Sequence, residues 1–195
     1  MSRIVSFRQM KDGTREDYLL LDRSERSFAC ALPGRIMDAL RKLEHSLEGY
    51  PLSRLQHSLQ TATRAQRDHA DQELVLGCLL HDIGDDLAPY NHAEYAAAIL
   101  RPYVRPEVCW VVEQHGLFQG YYYVHHLGGD RHARERLRDH PWYQRCVEFC
   151  ERWDQASFDP DYPTLPLEAF EPFVVDIFTR EPQDPRYQRA EPTGS

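Results

Sequence analysis

The chain has 195 residues, with 31 Asp and Glu against 23 Lys and Arg and a formal net charge of −8 at pH 7. This length suits one domain with a sizeable core. The acidic balance argues against nucleic acid as a partner, because phosphate-binding surfaces normally carry a basic excess. No apolar stretch approaches the roughly 20 residues that span a bilayer, and the N-terminus lacks the apolar core of a secretory signal. We therefore expect a cytoplasmic protein without a membrane partner.

The cysteines give no sign of a disulfide framework or a thiolate metal site. They are odd in number and none forms a CxxC pair, so they are predicted to be reduced core thiols. The five positions are Cys30, Cys78, Cys109, Cys146 and Cys150.

The N-terminal residues 1–32 mix charges with a short apolar run at 18–21, which predicts an irregular arm, with at most one short strand, packed on the main domain. Helical periodicity begins at Pro33. Apolar residues at 36, 40, 43 and 47 repeat at spacings of three and four, and a glycine follows at position 49. Proline at the start and glycine past the end are typical of helix termini, so a helix is predicted over 33–49.

Further helices are predicted over 53–69, 71–83, 91–102 and 106–115. Asn91 is a candidate N-cap, with Glu94 in the capping-box position. Gly116 is predicted to end the fifth helix. Residues 117–129 contain glycines, three consecutive tyrosines and two consecutive histidines, a composition that predicts a loop or broken helix over a functional site.

Helices are predicted to resume over 130–139 and 141–157, followed by a turn with three prolines and a last helix over 167–180. Strand-like alternation is nearly absent, and no internal repeat or domain boundary is visible. The pattern predicts an all-α single domain over 33–181 and a disordered tail over 182–195.

The pair His81-Asp82 closes the apolar run 74–80. Alone, such a pair is more often a helix end with a capping carboxylate and a hydrogen-bonded imidazole. Here the apolar pattern continues through Ile83 and then meets Asp85 and Asp86. Burying so many polar groups together is costly without a cation, which favours a metal site.

Four further candidate ligands occupy inward positions of predicted helices: His57, His92, His115 and Asp154. Taken singly, each is more often a satisfied core or cap residue than a ligand. Together with the His-Asp pair they form a set without thiolates, which suits iron, manganese or zinc. Six ligands with one carboxylate able to bridge indicate two metal ions, because six ligands on one ion leave no open position for a substrate.

The ordered series His57, His81-Asp82, His92, His115 and Asp154 resembles the HD-domain superfamily of metal-dependent enzymes over residues 50–157. Its spacing, and the local sequences 57–60 and 79–84, are most similar to the small mixed-valent diiron oxygenases that degrade 1-hydroxyphosphonates. Within that group the resemblance is greatest to the (1-hydroxy-2-(trimethylamino)ethyl)phosphonate oxygenases. It implies a single HD-domain helical bundle.

The resemblance also implies roles for individual residues. His57, His81, Asp82 and Asp154 would hold one iron, and Asp82 would bridge to a second iron held by His92 and His115. Dioxygen would be the co-substrate, and cleavage of the C–P bond would release phosphate and a carboxylate, here glycine betaine. A tyrosine occupies the iron before substrate arrives in one relative, and Tyr50 is the candidate for that role here, although its spacing differs.

Two departures from an aminoethylphosphonate-cleaving relative remove basic groups, because Gln119 replaces a lysine and Asp85 replaces a histidine. Many aromatic residues surround these positions, and aromatic faces near carboxylates suit a quaternary ammonium group. The aromatic candidates are Trp110, Phe118, Tyr121, Tyr122, Tyr123 and Trp153. Asp85, Gln119, Tyr121, Tyr122 and Trp153 are predicted to contact substrate, and His126, Arg131 and Arg134 are candidate phosphonate contacts.

Two other classes of function stay open on the sequence. A metal-dependent HD phosphohydrolase acting on a small phosphate ester or nucleotide needs the same ligands, although no basic residue follows soon after Asp82. A non-catalytic binding module would be expected to have lost ligands, and none is missing. The expected partner is a small-molecule phosphonate, and the expected assembly is a monomer or small homo-oligomer.

Overall fold

A computed structural model describes residues 4–188, and within that range the secondary structure is entirely helical. The prediction of an all-α protein is confirmed. The α-helices are α1 (Arg15–Cys30), α2 (Leu32–Lys42), α3 (Arg54–Arg67), α4 (Gln72–Leu80), α5 (His92–Leu100), α6 (Pro106–Tyr123), α7 (Tyr143–Glu148) and α8 (Glu171–Phe178).

Helix α3 lies at the centre of the bundle, against α4 and the segment that follows α7. Ser53 caps its start by accepting a hydrogen bond from the amide of Gln56 at 3.1 Å. Its polar face is also buried. The side-chain amide of Gln60 donates to the backbone carbonyl of Asp159 and accepts from the backbone amide of the same residue. The hydroxyl of Thr63 accepts from the backbone amide of Leu165. These bonds attach the proline-rich segment to the core.

Helix α4 is buried on every side from Leu74 to Leu80. Asp71 caps it by accepting from the amides of Glu73 and Leu74. The helix ends at Leu80, three residues before the predicted end. The His-Asp pair therefore begins a series of turns that leads to α5.

The predicted irregular arm, 1–32, is wrong for half of its length, because Arg15–Cys30 forms the 16-residue helix α1. A capping box begins it, in which Thr14 and Asp17 each accept a hydrogen bond from the other's amide. No residue of α1 is fully buried. Local capping and partial packing thus stabilise this helix. Its apolar periodicity is weak, which is why the sequence pattern did not predict a helix there.

The largest correction concerns α6, which continues through Gly116 to Tyr123. Residues 117–123 are therefore helical and not a loop. A glycine inside a helix costs about 1 kcal/mol relative to alanine, and the packing of fully buried Phe118 outweighs this cost. The chain leaves the helix through a 3-10 turn, Val124–Leu127, and Gly128 at φ 81°.

The later elements are shorter than predicted. Residues 130–139 contain only the 3-10 helix Ala133–Leu137, and the last helix, α8, is preceded by a 3-10 turn. Helix α7 continues as a π-helix over Phe149–Asp154. The predicted capping box at Asn91 is not formed. The side-chain amide of Asn91 instead donates to the carboxylate of Glu94 at 3.3 Å.

The chain beyond α8 folds back on the bundle as far as it is described. The amide of Gln183 donates to the carbonyl of Pro102 at 2.7 Å, and Pro185–Tyr187 forms a 3-10 turn. The rest of the predicted disordered tail, 189–195, lies outside the described residues. In the described range no helix is long and apolar enough to cross a membrane. All five cysteines are free, and all except Cys30 are buried.

Candidate metal centre

The six predicted ligands converge at the end of α4. The Nε2 atoms of His57 and His81 are 3.1 Å apart, and Asp154 Oδ1 lies 3.3 Å from His57 Nε2. On the other side, the Nε2 atoms of His92 and His115 lie 3.4 and 3.3 Å from Asp82 Oδ1. Ligands from five separate parts of the chain thus surround one buried space.

Asp82 stands between two groups of histidines. Its Oδ2 atom lies 3.4 Å from His57 Nε2 and 3.1 Å from His81 Nε2, while its Oδ1 atom faces His92 and His115. Each carboxylate oxygen therefore addresses a different pair of imidazoles. This is the geometry that a bridging carboxylate requires.

Backbone carbonyls fix the orientation of three of the imidazoles. The Nδ1 atoms of His57, His81 and His115 donate to carbonyls at 2.8, 2.7 and 2.7 Å. This leaves each Nε2 as an acceptor that points into the site, as is usual for metal-bound histidine. Two such acceptors at 3.1 Å repel each other unless a cation or a proton lies between them.

Two buried carboxylate oxygens also lack partners: Asp82 Oδ1 and Asp154 Oδ2 have no hydrogen bond within residues 4–188. A buried unpaired carboxylate oxygen costs free energy that a bound cation would recover. Together with the inward-facing imidazole acceptors, these oxygens show that the donor set fits a metal ion.

Electrostatics keep both carboxylates ionised. Burial raises the pKa of Asp82, but His81 and Arg54 outweigh it and hold that pKa well below its usual range. Burial likewise raises the pKa of Asp154, and hydrogen bonding with His57 brings it below the ordinary value. Burial lowers the pKa of His92, and attraction to Asp82 does not compensate. The site therefore offers anionic oxygens and a readily deprotonated imidazole to a cation.

The described residues contain three groups of potential metal ligands, and within each group the ligand atoms all lie within 4.8 Å of one another. They are His57, His81 and Asp154; His81, Asp82 and His115; and Asp82, Asp85 and His92. Asp82 and His81 each belong to two groups, so the groups form a continuous series. Asp85, predicted to contact substrate, thus belongs to the ligand cluster itself.

Local backbone structure explains how two of the ligands reach the site. Asp154 is the last residue of the π-helix Phe149–Asp154, in which the amide of Gln155 donates to the carbonyl of Cys150 at 3.0 Å. π-Turns are rare and often accompany functional sites. His92 approaches because Gly84 lets the two segments meet, since a Cβ atom on Gly84 would lie 2.8 Å from the carbonyl oxygen of His92.

Arg54 is a residue of the site that sequence reasoning missed. Its Nη2 atom lies 2.5 Å from Asp82 Oδ2, and its Nε atom lies 2.6 Å from Asp85 Oδ2. Only 10% of its side chain is exposed. A signal was present, because an arginine three positions before His57 lies on the same face of a helix.

A cavity of about 820 Å³ opens onto these ligands, a volume ordinary for a small-molecule site. Of the predicted substrate contacts, Asp85, Gln119 and Tyr122 line it, as does Tyr50. The amide nitrogen of Gln119 donates to Asp154 Oδ1 at 3.2 Å. Phe158, which was missed, lies between Tyr50 and His57, with ring centroids at 5.2 and 4.4 Å.

The other predicted substrate contacts do not line this cavity: Tyr121, His126, Arg131, Arg134 and Trp153. Trp153 is a core residue whose Nε1 donates to Asp68, and His126 lies on an exposed 3-10 turn. Trp110 stacks on His140 at 3.9 Å, away from the site. Tyr121, which was predicted to lie in a loop or broken helix over the site, belongs to α6.

The helical course of α6 explains which tyrosines reach the cavity. Its cavity-lining residues are His115, Gly116, Gln119, Tyr122 and Tyr123. Their spacing of one, three, three and one places them on one helix face. Tyr121 lies about 100° around the helix from Tyr122 and faces away.

The HD domain family model matches residues 54–152, more than half of the chain. The chain therefore belongs to the HD domain family, whose members are typically metal-dependent enzymes. The match contains five of the six predicted ligands, and Asp154 follows two residues after it. No curated protein matches the chain.

Proposed function

We propose that the protein is an iron-dependent oxygenase that cleaves the C–P bond of a 1-hydroxyphosphonate, with dioxygen as co-substrate. The observation that carries the proposal is Asp82, whose two oxygens face two separate pairs of histidines. A single metal ion does not need this division, whereas two adjacent ions do.

The ligands divide into two sets on this proposal. His57, His81, Asp82 and Asp154 would hold one iron, and Asp82, His92 and His115 would hold the other. When bound, a ferrous and a ferric ion supply the one-electron redox chemistry that reaction with dioxygen requires. The resemblance of the ligand series to the diiron oxygenases supports iron over a redox-inactive metal.

The charges around the site suit an anionic substrate once metal is bound. Asp82, Asp85 and Asp154 outnumber the single guanidinium of Arg54 by two charges. Two metal cations would overcompensate this deficit and leave the floor of the cavity positive. A doubly charged phosphonate would then be attracted to the open metal positions.

The aromatic side chains that line the cavity, here called the aromatic wall, suit a quaternary ammonium group. Tyr50, Tyr122, Tyr123 and Phe158 line the cavity together with the carboxylate of Asp86. Burial raises the pKa of Tyr122 to about 12, so its ring stays an uncharged phenol. A trimethylammonium group is attracted to such ring faces and donates no hydrogen bond. We therefore propose (1-hydroxy-2-(trimethylamino)ethyl)phosphonate as the substrate, with glycine betaine and phosphate as products.

Oxygen dependence tests the reaction class. Protein loaded with ferrous iron should consume dioxygen and release phosphate from the hydroxyphosphonate in matched amounts. Paramagnetic resonance of the partially oxidised protein should show a coupled ferrous–ferric pair. Oxygen-independent phosphate release from a small phosphate ester or nucleotide by protein loaded with manganese, with none from the hydroxyphosphonate, would instead support an HD phosphohydrolase.

Competition between two substrates tests the aromatic wall. The trimethylammonium substrate should have a higher kcat/KM than its primary-amine analogue. Tyr122→Leu should reduce that preference about fivefold, because one cation–π contact contributes roughly 1 kcal/mol. Tyr103→Leu, a change of the same kind at a partly buried tyrosine outside the cavity, is the matched control. Equal efficiency of both substrates in the unaltered protein would refute recognition by aromatic faces.

A further inference from the structure

The imidazole of His92 has a different neighbour from the other three histidines of the metal centre. The Nδ1 atoms of His57, His81 and His115 donate to backbone carbonyls. Nδ1 of His92 instead lies 3.3 Å from Oδ1 of Asp85, within ion-pair distance. The side chain of His92 is also 26% exposed, against 4% or less for the other three. The group that faces its outer nitrogen is therefore a carboxylate and not a carbonyl.

Asp85 is held from its other side by an arginine. Its Oδ2 atom accepts a hydrogen bond from Nε of Arg54 at 2.6 Å, and only 8% of its side chain is exposed. Each oxygen of Asp85 thus faces a nitrogen of the protein. Asp82 and Asp154 differ, because each has one buried oxygen without a hydrogen bond in residues 4–188. The oxygens that are free to bind a cation therefore belong to Asp82 and Asp154.

The two nitrogens of one imidazole ring point in divergent directions, so only one of them can face a given metal position. In His92 that atom is Nε2, which lies 3.4 Å from Oδ1 of Asp82. When Nε2 of a neutral imidazole binds a metal ion, Nδ1 carries the proton and needs an acceptor. A carboxylate in that place fixes the ring and makes the bound nitrogen more basic. Asp85 is the carboxylate so placed.

We propose that Asp85 is a positioning residue for His92, and neither a metal ligand nor a substrate contact. Its Oδ1 atom accepts a hydrogen bond from Nδ1 of His92 when Nε2 binds metal, while Arg54 holds its Oδ2 atom. This role rests on the two-metal assignment proposed above, because it concerns the position that Asp82, His92 and His115 form. It requires neither iron nor a particular reaction.

Cobalt titration of the metal-free, full-length protein tests the effect on metal affinity. The unaltered protein should bind two Co²⁺ ions. Asp85→Ala should weaken one of them at least tenfold, since loss of a supporting carboxylate typically lowers metal affinity roughly 10- to 100-fold. The other ion, whose ligands do not include His92, should keep its affinity and so reports that the variant is folded. Glu94→Ala removes an exposed carboxylate of the same helix, outside the cavity, and should weaken neither ion.

Proton magnetic resonance of the Co²⁺-loaded protein tests the hydrogen bond itself. Each metal-bound imidazole should give one exchangeable, paramagnetically shifted Nδ1–H signal, and that of His92 is assigned from nuclear Overhauser contacts with its neighbours in α5. Asp85→Ala should shift this signal and speed its exchange with water, because the acceptor is removed. Asp85→Asn has an amide oxygen that can still accept, so its effect on both signal and affinity should be smaller.

Three results would overturn the proposal. An unchanged His92 signal in Asp85→Ala would show that the ring does not donate to Asp85. Equal weakening of both ions would show that Asp85 acts through its charge alone. Binding of a single Co²⁺ ion by the unaltered protein would refute the two-metal assignment as well, and this failure is visible before any variant is made.

Discussion

The guanidinium of Arg54 clamps the carboxylate of Asp82, with Nη2 2.5 Å from Oδ2. That oxygen is also the one nearest to His57 and His81. A cation at the His57–His81 position must therefore share its carboxylate ligand with an arginine. The second contact of Arg54, to Asp85 at 2.6 Å, fixes the guanidinium in place.

Removal of Arg54 should destabilise the metal-free protein more than the metal-loaded one. In Arg54→Gln the metal-free site keeps buried carboxylates without their counter-charge, which we expect to cost about 3 kcal/mol. Bound metal supplies the missing charge, so the loss should be less than half as large in loaded protein. Thermal unfolding with and without metal measures both values.

The control for this experiment is Arg41→Gln, which breaks an exposed pair with Asp38. Its effect should stay below about 1 kcal/mol in either state. Equal destabilisation by Arg54→Gln with and without metal would contradict the idea that Arg54 and the metal compensate the same carboxylates.

Ligand substitutions should differ in how many metal ions they remove. Asp82→Ala should abolish both metal positions, because this carboxylate faces each of them. His92→Ala should remove one and leave the position formed by His57, His81 and Asp154. Elemental analysis of dialysed, folded protein measures the ratio, and His126→Ala on an exposed turn should keep the full complement. Complete metal loss in the His92 variant would show that the two positions fill only together.

Two glycine-to-alanine changes should have opposite effects. A Cβ atom at position 84 would lie 2.8 Å from the backbone of His92, whereas a Cβ atom at position 116 meets nothing within 4 Å. Gly84→Ala should therefore push His92 outward, reduce metal content and lower the melting temperature. Gly116→Ala should raise stability by roughly 0.5–1 kcal/mol, because alanine favours the helix interior. A stabilising Gly84→Ala would refute the close approach of the two segments.

Asp71 should contribute a pH-dependent part of the stability. Burial raises its pKa, but hydrogen bonds from Arg105 and from the amide of Leu74 lower it by more, to below the ordinary value of 3.8. Because the folded-state pKa is the lower one, this stabilisation is complete above pH 3.8 and is lost as pH falls through the folded-state value.

Two substitutions separate the parts of this contribution. Asp71→Asn keeps a side chain that can cap α4 and should cost about 0.5 kcal/mol near pH 7, since the pair with Arg105 is partly exposed. Asp71→Ala also loses the cap and should cost about 1.5 kcal/mol. Urea unfolding from pH 7 to pH 2.5 should show the Asn variant converging on the unaltered protein. A difference in the free energy of unfolding between the Asn variant and the unaltered protein that does not change with pH would contradict the lowered pKa of Asp71.

The sequence was informative wherever a ligand extends an apolar stripe, because helix periodicity then predicts the direction of its side chain. His57 and His115 are of this kind. Asp154 fits the stripe too, yet the π-turn that carries it has no signal in the residues around it. The sequence could thus predict that Asp154 is a ligand, but it could not predict the π-helix that brings Asp154 to the site.

The errors have a common physical cause, which is local composition that tertiary packing overrides. Gly116 and the tyrosines after it are typical of loops, but burial of Phe118 continues the helix. Arg54 was overlooked because an arginine near the start of a helix usually lies in solvent. Only the spatial proximity of Asp82 and Asp85, which are distant in sequence, shows why it is buried.

Helix α6 carries His115 near its middle and Tyr122 two turns later, about 10.5 Å along the axis at 1.5 Å per residue. His115 and Tyr122 thus lie on one helix, and the distance between them is fixed by residue count. One residue inserted between them would turn Tyr122 by about 100° as well as move it. The distance from His115 to Tyr122 therefore changes only together with the direction in which the tyrosine side chain points.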